Sequence, residues 1–175
     1  MSSVYCLVKD NAQANKVADR LRISGFSAND ISAIFPDKAG TRDFVTKNST
    51  KTPEGVAVGA GTGAIIGGAL GWMAGIGALA IPGVGPLIAA GPIMAALSGV
   101  AAGGALGGLS GALVGMGIPE YEAQRYEGKI KEGQILIAVH ADTSEEAARA
   151  REIFTEEHAE AISTGAEAAV PHSSR

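Results

Sequence analysis

With 175 residues, 14 basic and 18 acidic side chains and a formal charge of −4, the chain suits one medium domain and offers no basic excess for nucleic acid. Those averages conceal a division: no Asp, Glu, Lys or Arg occurs between Glu54 and Glu120, and 20 of the 25 glycines fall inside that block. The one cysteine, Cys6, excludes an internal disulfide; in an apolar alternating run it is expected to be a buried small hydrophobe in a reducing interior.

The opening "MSSVYCLVKD" has no basic leader or cleavage site, so no secretory signal is expected, and it reads as a strand. In "NAQANKVADRLRISG", Ala14, Val17, Ala18 and Leu21 recur at helical spacing and Gly25 marks the stop. Asp10 and Gln13 form a D-x-x-Q start, a weaker relative of the capping box. "DISAIF" follows as a second strand. The second flank repeats this order. "QILIAVHAD" is a strand, "TSEEAARAREIFTEEHA" a helix with Ala147, Ala150, Ile153 and Phe154 on one side, and "EAISTG" a closing strand, with Asp142 and Glu145 as a D-x-x-E start. Two βαβ units predict an α+β, ferredoxin-like sandwich whose two helices cover one sheet face.

Between the halves, 37–52 is a polar linker and 53–118, uncharged after Glu54, is expected to be a glycine-zipper helical hairpin. Thr52, Pro53 and Glu54 start a helix, and Gly55, Gly59, Gly63, Gly67, Gly71 and Gly75 recur along it at every fourth position. "IPGVGP" at 81–86 is a turn. A return helix from Pro86 or Pro92 carries Gly99, Gly103, Gly107, Gly111 and Gly115, with Ala95 and Gly91 extending the row backward. Each helix would run about 25–30 residues, roughly 38–45 Å at 1.5 Å per residue, longer than the roughly 30 Å bilayer core. Lys47, Lys51, Arg125, Lys129 and Lys131 flank the outer ends, so the positive-inside rule predicts two spans with both termini in the cytoplasm. A glycine row at period four follows one helix ridge and suits close helix packing. The alternative setting is a cytoplasmic soluble homo-oligomer with the hairpins buried inside.

After the block, "PEYEAQRYEGKIKEG" is an amphipathic helix with Ala123, Tyr126 and Ile130 on one side, and Arg125, Lys129 and Lys131 are a candidate anion or headgroup contact. The domains expected are 1–36 and 119–165 as the split α+β halves, 53–118 as the hairpin, and 166–175 as a disordered tail. His140, His158 and His172 show no metal-ligand spacing, and "GAGTGAIIGG" has no preceding strand to make it a dinucleotide loop. No catalytic, cofactor or metal residues are assigned, and an enzyme is not expected.

"VYCLVKDNAQANKVADRLRISGFSANDIS", the double glycine row and above all "GIPEYEAQRYEGKIKEGQILIAVHAD" resemble a family of uncharacterised bacterial proteins associated by name with general or low-temperature stress. The resemblance spans about residues 3–165. It implies a non-enzymatic stress protein that self-assembles or associates with membrane, and it transfers no catalytic residues. The expected partners are therefore copies of the same chain and a lipid bilayer, with no nucleic acid; a ligand-sensing domain signalling through the helices is a further alternative.

Overall fold

The computed structural model describes residues 2–36, 77–81, 84–93, 97 and 108–166. In chain order these form β1 (Ser2–Val8), α1 (Asn11–Ile23), a 3-10 turn (Ala28–Asp30), β2 (Ile31–Pro36), β3 (Gly77–Ile81), β4 (Gly85–Ala90), α2 (Gly108–Gly115), α3 (Glu120–Lys131), β5 (Ile135–Ala141), α4 (Ser144–Glu156) and β6 (Glu160–Ala166). The fold is α+β, with one six-stranded sheet in the order β3-β4-β2-β5-β1-β6. Every neighbouring pair is antiparallel.

The two flanks interleave. β5 lies between β1 and β2, with Leu7 opposite Leu136 and Ile34 opposite that same Leu136. β1 in turn lies between β5 and β6. Because side chains alternate across a strand, β5 sends Ile135, Ile137 and Val139 to one face and Leu136 and Ala138 to the other. Both sets are apolar because both faces are covered.

The first face takes the stripes expected from the helical spacing. Ala14, Val17, Ala18 and Leu21 of α1 are fully buried there, with Ala150, Ile153 and Phe154 of α4 and the thiol of Cys6. The second face carries a core in which the α3 stripe follows from its helical spacing and the α2 residues do not. Leu109, Ala112 and Leu113 of α2, Ile118, and Ala123, Tyr126 and Ile130 of α3 pack over Tyr5, Leu7, Ile34, Leu87 and Leu136. Part of the uncharged block is thus the second covering layer of the domain.

Helix boundaries follow local chemistry. Asp10 caps α1 by accepting from the Gln13 N–H at 2.8 Å, and the Gln13 side chain accepts from Lys9 N–H at 2.9 Å. In α4 the cap lies one residue later than expected: Thr143 and Glu146 form the reciprocal box, while Asp142 contacts His140. Glu146 also accepts from Asp142 N–H at 2.9 Å, the counterpart of the Gln13–Lys9 bond. All four helices end in a left-handed residue followed by a bond back to the last turn, as in Phe26 N–H to Leu21 O and Ala159 N–H to Phe154 O. Gly25, Gly117 and Gly133 fill that position in three helices; in α4 it is His158, at φ 56°.

The central block departs from the helical hairpin expected over 53–118. Gly77–Ile81 and Gly85–Ala90 are strands, joined in register from Gly77↔Ala89 to Ile81↔Gly85 and attached to β2 from Ala33↔Ala90 to Pro36↔Leu87. The "IPGVGP" turn is therefore a β-hairpin inside the domain, not the tip of a helical hairpin. Pro86 would remove a helical hydrogen bond, whereas a strand end accepts it. Pro86 is paired with β3 alone, beyond the end of the β2 ladder. Gly91, expected in the second glycine row, instead turns the chain off β4 at φ +83°, where an added Cβ would lie 2.2 Å from the Ile31 carbonyl oxygen. Pro92 and Ile93 are helical, and Ile93 N–H donates to Ser32 Oγ at 3.1 Å. Residues 53–76 and 98–107, the linker and the tail beyond Ala166 lie outside the described residues. Among the described residues no helix is long and apolar enough to cross a membrane.

Three of the crossovers join parallel strands across one intervening strand. β1 to β2 passes through α1 and β5 to β6 through α4, both on the first face. The β4 to β5 crossover, carrying α2 and α3, lies on the second face. It takes the opposite hand because α1 and α4 already occupy the first face above β5.

Candidate functional site

The outward side of α2 is the part of the expected glycine contact surface that the structure describes. α2 has no charged residue of its own. Its inner face is fixed by Leu109, Ala112 and Leu113, each no more than 4 % exposed. Its first turn is held by Glu127 of α3, whose Oε2 accepts from Ser110 N–H at 2.8 Å. A carboxylate there accepts from a first-turn amide and faces the positive end of the helix. Glu127 Oε1 also accepts from Lys131 Nζ at 2.7 Å. Partial burial opposes ionisation of Glu127, but the hydrogen bonds from Lys131 and Ser110 outweigh it and hold the carboxyl below its ordinary range.

With its base fixed, α2 presents Gly111, Val114 and Gly115 outward. Both glycines are exposed, Val114 is 41 % exposed, and a Cβ built on either glycine meets nothing within 4 Å. Residues 111 and 115 are one turn apart, so the surface is an uncharged, shallow strip with bare backbone. Of the remaining expected contact glycines, Gly55, Gly59, Gly63, Gly67, Gly71, Gly75, Gly99, Gly103 and Gly107 lie outside the described residues.

The basic residues of α3 do not converge on an anion site. Lys129 Nζ donates to Glu132 at 2.8 Å and Lys131 Nζ to Glu127 at 2.7 Å, while Arg125 is exposed on the helix. Each lysine is thus engaged by a carboxylate of its own helix, an arrangement common on solvated faces.

A polar cavity of about 60 Å³ lies between the end of α1 and the start of α4, lined by Asp30, His140, Asp142, Glu146 and Arg149 among others. Metabolite pockets run to about 300–1,000 Å³, so this one has room only for waters. Its side chains hold the fold locally. Asp30 and Glu146 complete capping boxes, His140 contacts Asp142 at 3.2 Å, and Arg149 donates to the Ser24 carbonyl at 3.3 Å. At the mirrored junction, Gln13 Nε2 donates to the carbonyls of Glu157 at 2.8 Å and His158 at 3.0 Å. Among the described residues no three His, Cys, Asp or Glu side chains are grouped to hold a metal ion.

Tyr126 is the remaining distinctive polar group, 1 % exposed beneath β6. Its hydroxyl donates to the Ala161 carbonyl at 2.7 Å and meets Ser163 Oγ at 2.6 Å, fixing β6 where its register against β1 shifts. Burial pushes its pKa up to about 12, against a smaller lowering by Ser163, so the phenol stays protonated at physiological pH. Burial likewise pushes the Cys6 thiol well up, away from the thiolate form that nucleophilic chemistry uses. The sequence pattern placed Tyr126 in the core; its partners in the last strand had no sequence signal.

No protein-family model, curated protein or solved structure matches the chain.

Proposed function

We propose that the protein is a non-enzymatic structural component that assembles with copies of itself through the outward glycine strip of α2. The observation that carries this reading is the pairing of Gly111 and Gly115, exposed and with open space at both Cβ positions, on a helix whose other face is fully committed to the core. Glycine in a helix interior costs about 1 kcal/mol relative to alanine, and close contact with another helix supplies a compensating interaction. The resemblance of residues 117–142 to the bacterial stress-protein family agrees with a structural role. We read β2-β5-β1-β6 with α1 and α4 as the ferredoxin-like unit, widened by the β3–β4 hairpin.

The soluble assembly is favoured over the two-span anchor. With β3 and β4 in the sheet, the uncharged block is divided, and each outlying piece begins and ends at the same domain. A helical crossing takes about 20 residues, so neither 53–76 nor 91–107 is long enough to cross and return. The test is light scattering on the detergent-free protein and on a Gly111→Leu/Gly115→Leu variant. The wild type should exceed its monomer mass of 17.5 kDa. The variant should shift towards monomer with unchanged circular dichroism, because the added side chains enter open space. A monomeric wild type, or a variant that assembles equally well, overturns the reading; recovery of the protein only in the membrane fraction favours the anchor.

A further inference from the structure

β6 closes one end of the sheet, with β1 as its one neighbour. Its other edge therefore carries a row of backbone N–H and C=O groups with no strand beside it among the described residues. The first part of the strand is otherwise engaged. Glu160 is held by Lys9 at 3.0 Å, the Ala161 carbonyl accepts from Tyr126, and Ala161 is left-handed at φ 51° where the register against β1 shifts. Beyond that irregularity, Ser163 to Ala166 run in unbroken register with Tyr5 to Ser2.

Folded proteins guard such an edge with lysine, proline, a bulge or an inward-pointing charge. The register shift guards only the start of β6. From Ile162 to Ala166 the sequence "ISTGA" holds no charge and no proline. Thr164 in its middle is exposed, and it is a β-branched residue suited to a strand. The residues on either side of it match in kind: small Ser163 and Gly165, then apolar Ile162 and Ala166. Paired antiparallel with itself about Thr164, the segment sets Ser163 opposite Gly165 and Ile162 opposite Ala166. The two threonines then form a cross-strand pair.

Charge allows the same arrangement. Glu160, the one charged residue of the strand, lies four residues from Thr164 in each copy. About 27 Å then separates the two glutamates at about 3.4 Å per residue, well beyond the Debye length of roughly 8 Å at physiological salt. Lys9 offsets each of them as well.

We propose that β6 pairs with β6 of a second copy, antiparallel about Thr164, joining two six-stranded sheets into one continuous sheet. The contact is isologous, one patch meeting itself, and main-chain hydrogen bonds hold it as in β-strand addition. It uses no residue of the α2 strip and does not depend on assembly through it. Where both contacts operate, the assembly grows past a dimer.

The test uses the Gly111→Leu/Gly115→Leu background, in which the α2 contact is absent. Facing Cα atoms of paired strands lie about 4.5–5.5 Å apart, within the roughly 4.4–6.8 Å that a disulfide spans. Oxidation of Thr164→Cys should therefore give a species of twice the 17.5 kDa chain mass on non-reducing gels. Glu160→Cys should give none, and neither should the parent with its buried Cys6 alone. By light scattering the parent should be a dimer. Adding Thr164→Lys, which sets two like charges face to face, should return it to 17.5 kDa with unchanged circular dichroism. A parent that is already monomeric, or a Thr164→Cys chain that stays unlinked, overturns the proposal. In the unlinked case a maleimide-reactive thiol shows an open edge, and a protected one shows another segment of the chain lying on it. Equal linkage through Glu160→Cys also overturns it, as random collision. The α2 reading fails separately, if the glycine variant keeps the full mass of the wild type.

Discussion

Replacing Gly91 by alanine separates the β-hairpin in the sheet from a continuous glycine-row helix by the sign of its effect. In the structure Gly91 has φ +83°, and an added Cβ would stand 2.2 Å from the Ile31 carbonyl oxygen and 3.0 Å from Ser32 Cα. Both obstacles are backbone atoms of β2, so neither rotates away. Holding a non-glycine residue in the left-handed region costs about 1–2 kcal/mol. Retreat of the chain from β2 also weakens the Ile93 N–H to Ser32 Oγ bond, worth about 1 kcal/mol. Together these predict roughly 2–3 kcal/mol of destabilisation, or a fall in Tm of about 4–12 °C at about 2–4 °C per kcal/mol for a chain of this size. In a helix interior the same substitution would stabilise by about 1 kcal/mol. Urea and thermal unfolding of the wild type and Gly91→Ala provide the comparison. An unchanged or raised Tm would refute the placement of β4 against β2.

His158→Gly should stabilise the fold by about 0.5–1 kcal/mol, since it relieves a left-handed residue at φ 56° and the extra freedom of glycine in the unfolded chain offsets part of the gain; urea midpoints measure it. Tyr126→Phe should cost about 1–2 kcal/mol by removing the bonds to Ala161 O and Ser163 Oγ, and the ultraviolet titration should lose its tyrosine component near 12. For Glu127 the folded-state pKa lies below the reference 4.5, so its contribution is present above that value and is lost as pH falls through the folded pKa. Glu127→Gln should therefore flatten the acid limb of the Tm-against-pH curve below about 4.5, with little change in its slope between pH 6 and 8.

The flanking elements were legible because charge bounded them. α1, α3 and α4 each place small or apolar residues at helical spacing among Lys, Arg and Glu, and those residues are the buried ones. The uncharged block offers no such contrast. A sequence such as "GALAIPGVGPLIAA" satisfies a buried strand and a buried helix alike, and its Pro–Gly turn correctly marked a reversal without saying of what kind. The α4 cap was misplaced by one residue because Asp142 and Thr143 are both capping residues followed three positions later by glutamate; His140, two residues back on the strand, draws Asp142 away. At the site, the outward direction of Gly111 and Gly115 follows from the burial of Leu109, Ala112 and Leu113, a face that an all-apolar helix does not reveal in advance. Lys129 and Lys131 are engaged separately, by Glu132 and Glu127, at one-turn spacing.

The position of β5 in the middle of the sheet has a consequence for how the molecule is made. β1 pairs with β5 and β6, and β2 pairs with β4 and β5, so neither of the first two strands can join its central neighbour until residues 135–141 have been synthesised. At about 5–20 residues per second, that delay is on the order of ten seconds. During the last part of it, the uncharged stretch between Glu54 and Glu120 has been synthesised while β5, which joins β1 to β2, has not. Pairings so distant in sequence also fold slowly. Folding yield should therefore depend on chain concentration and on what shields the block in that interval, and the protein's biogenesis will be more sensitive to crowding and chaperone supply than the stability of its finished fold suggests.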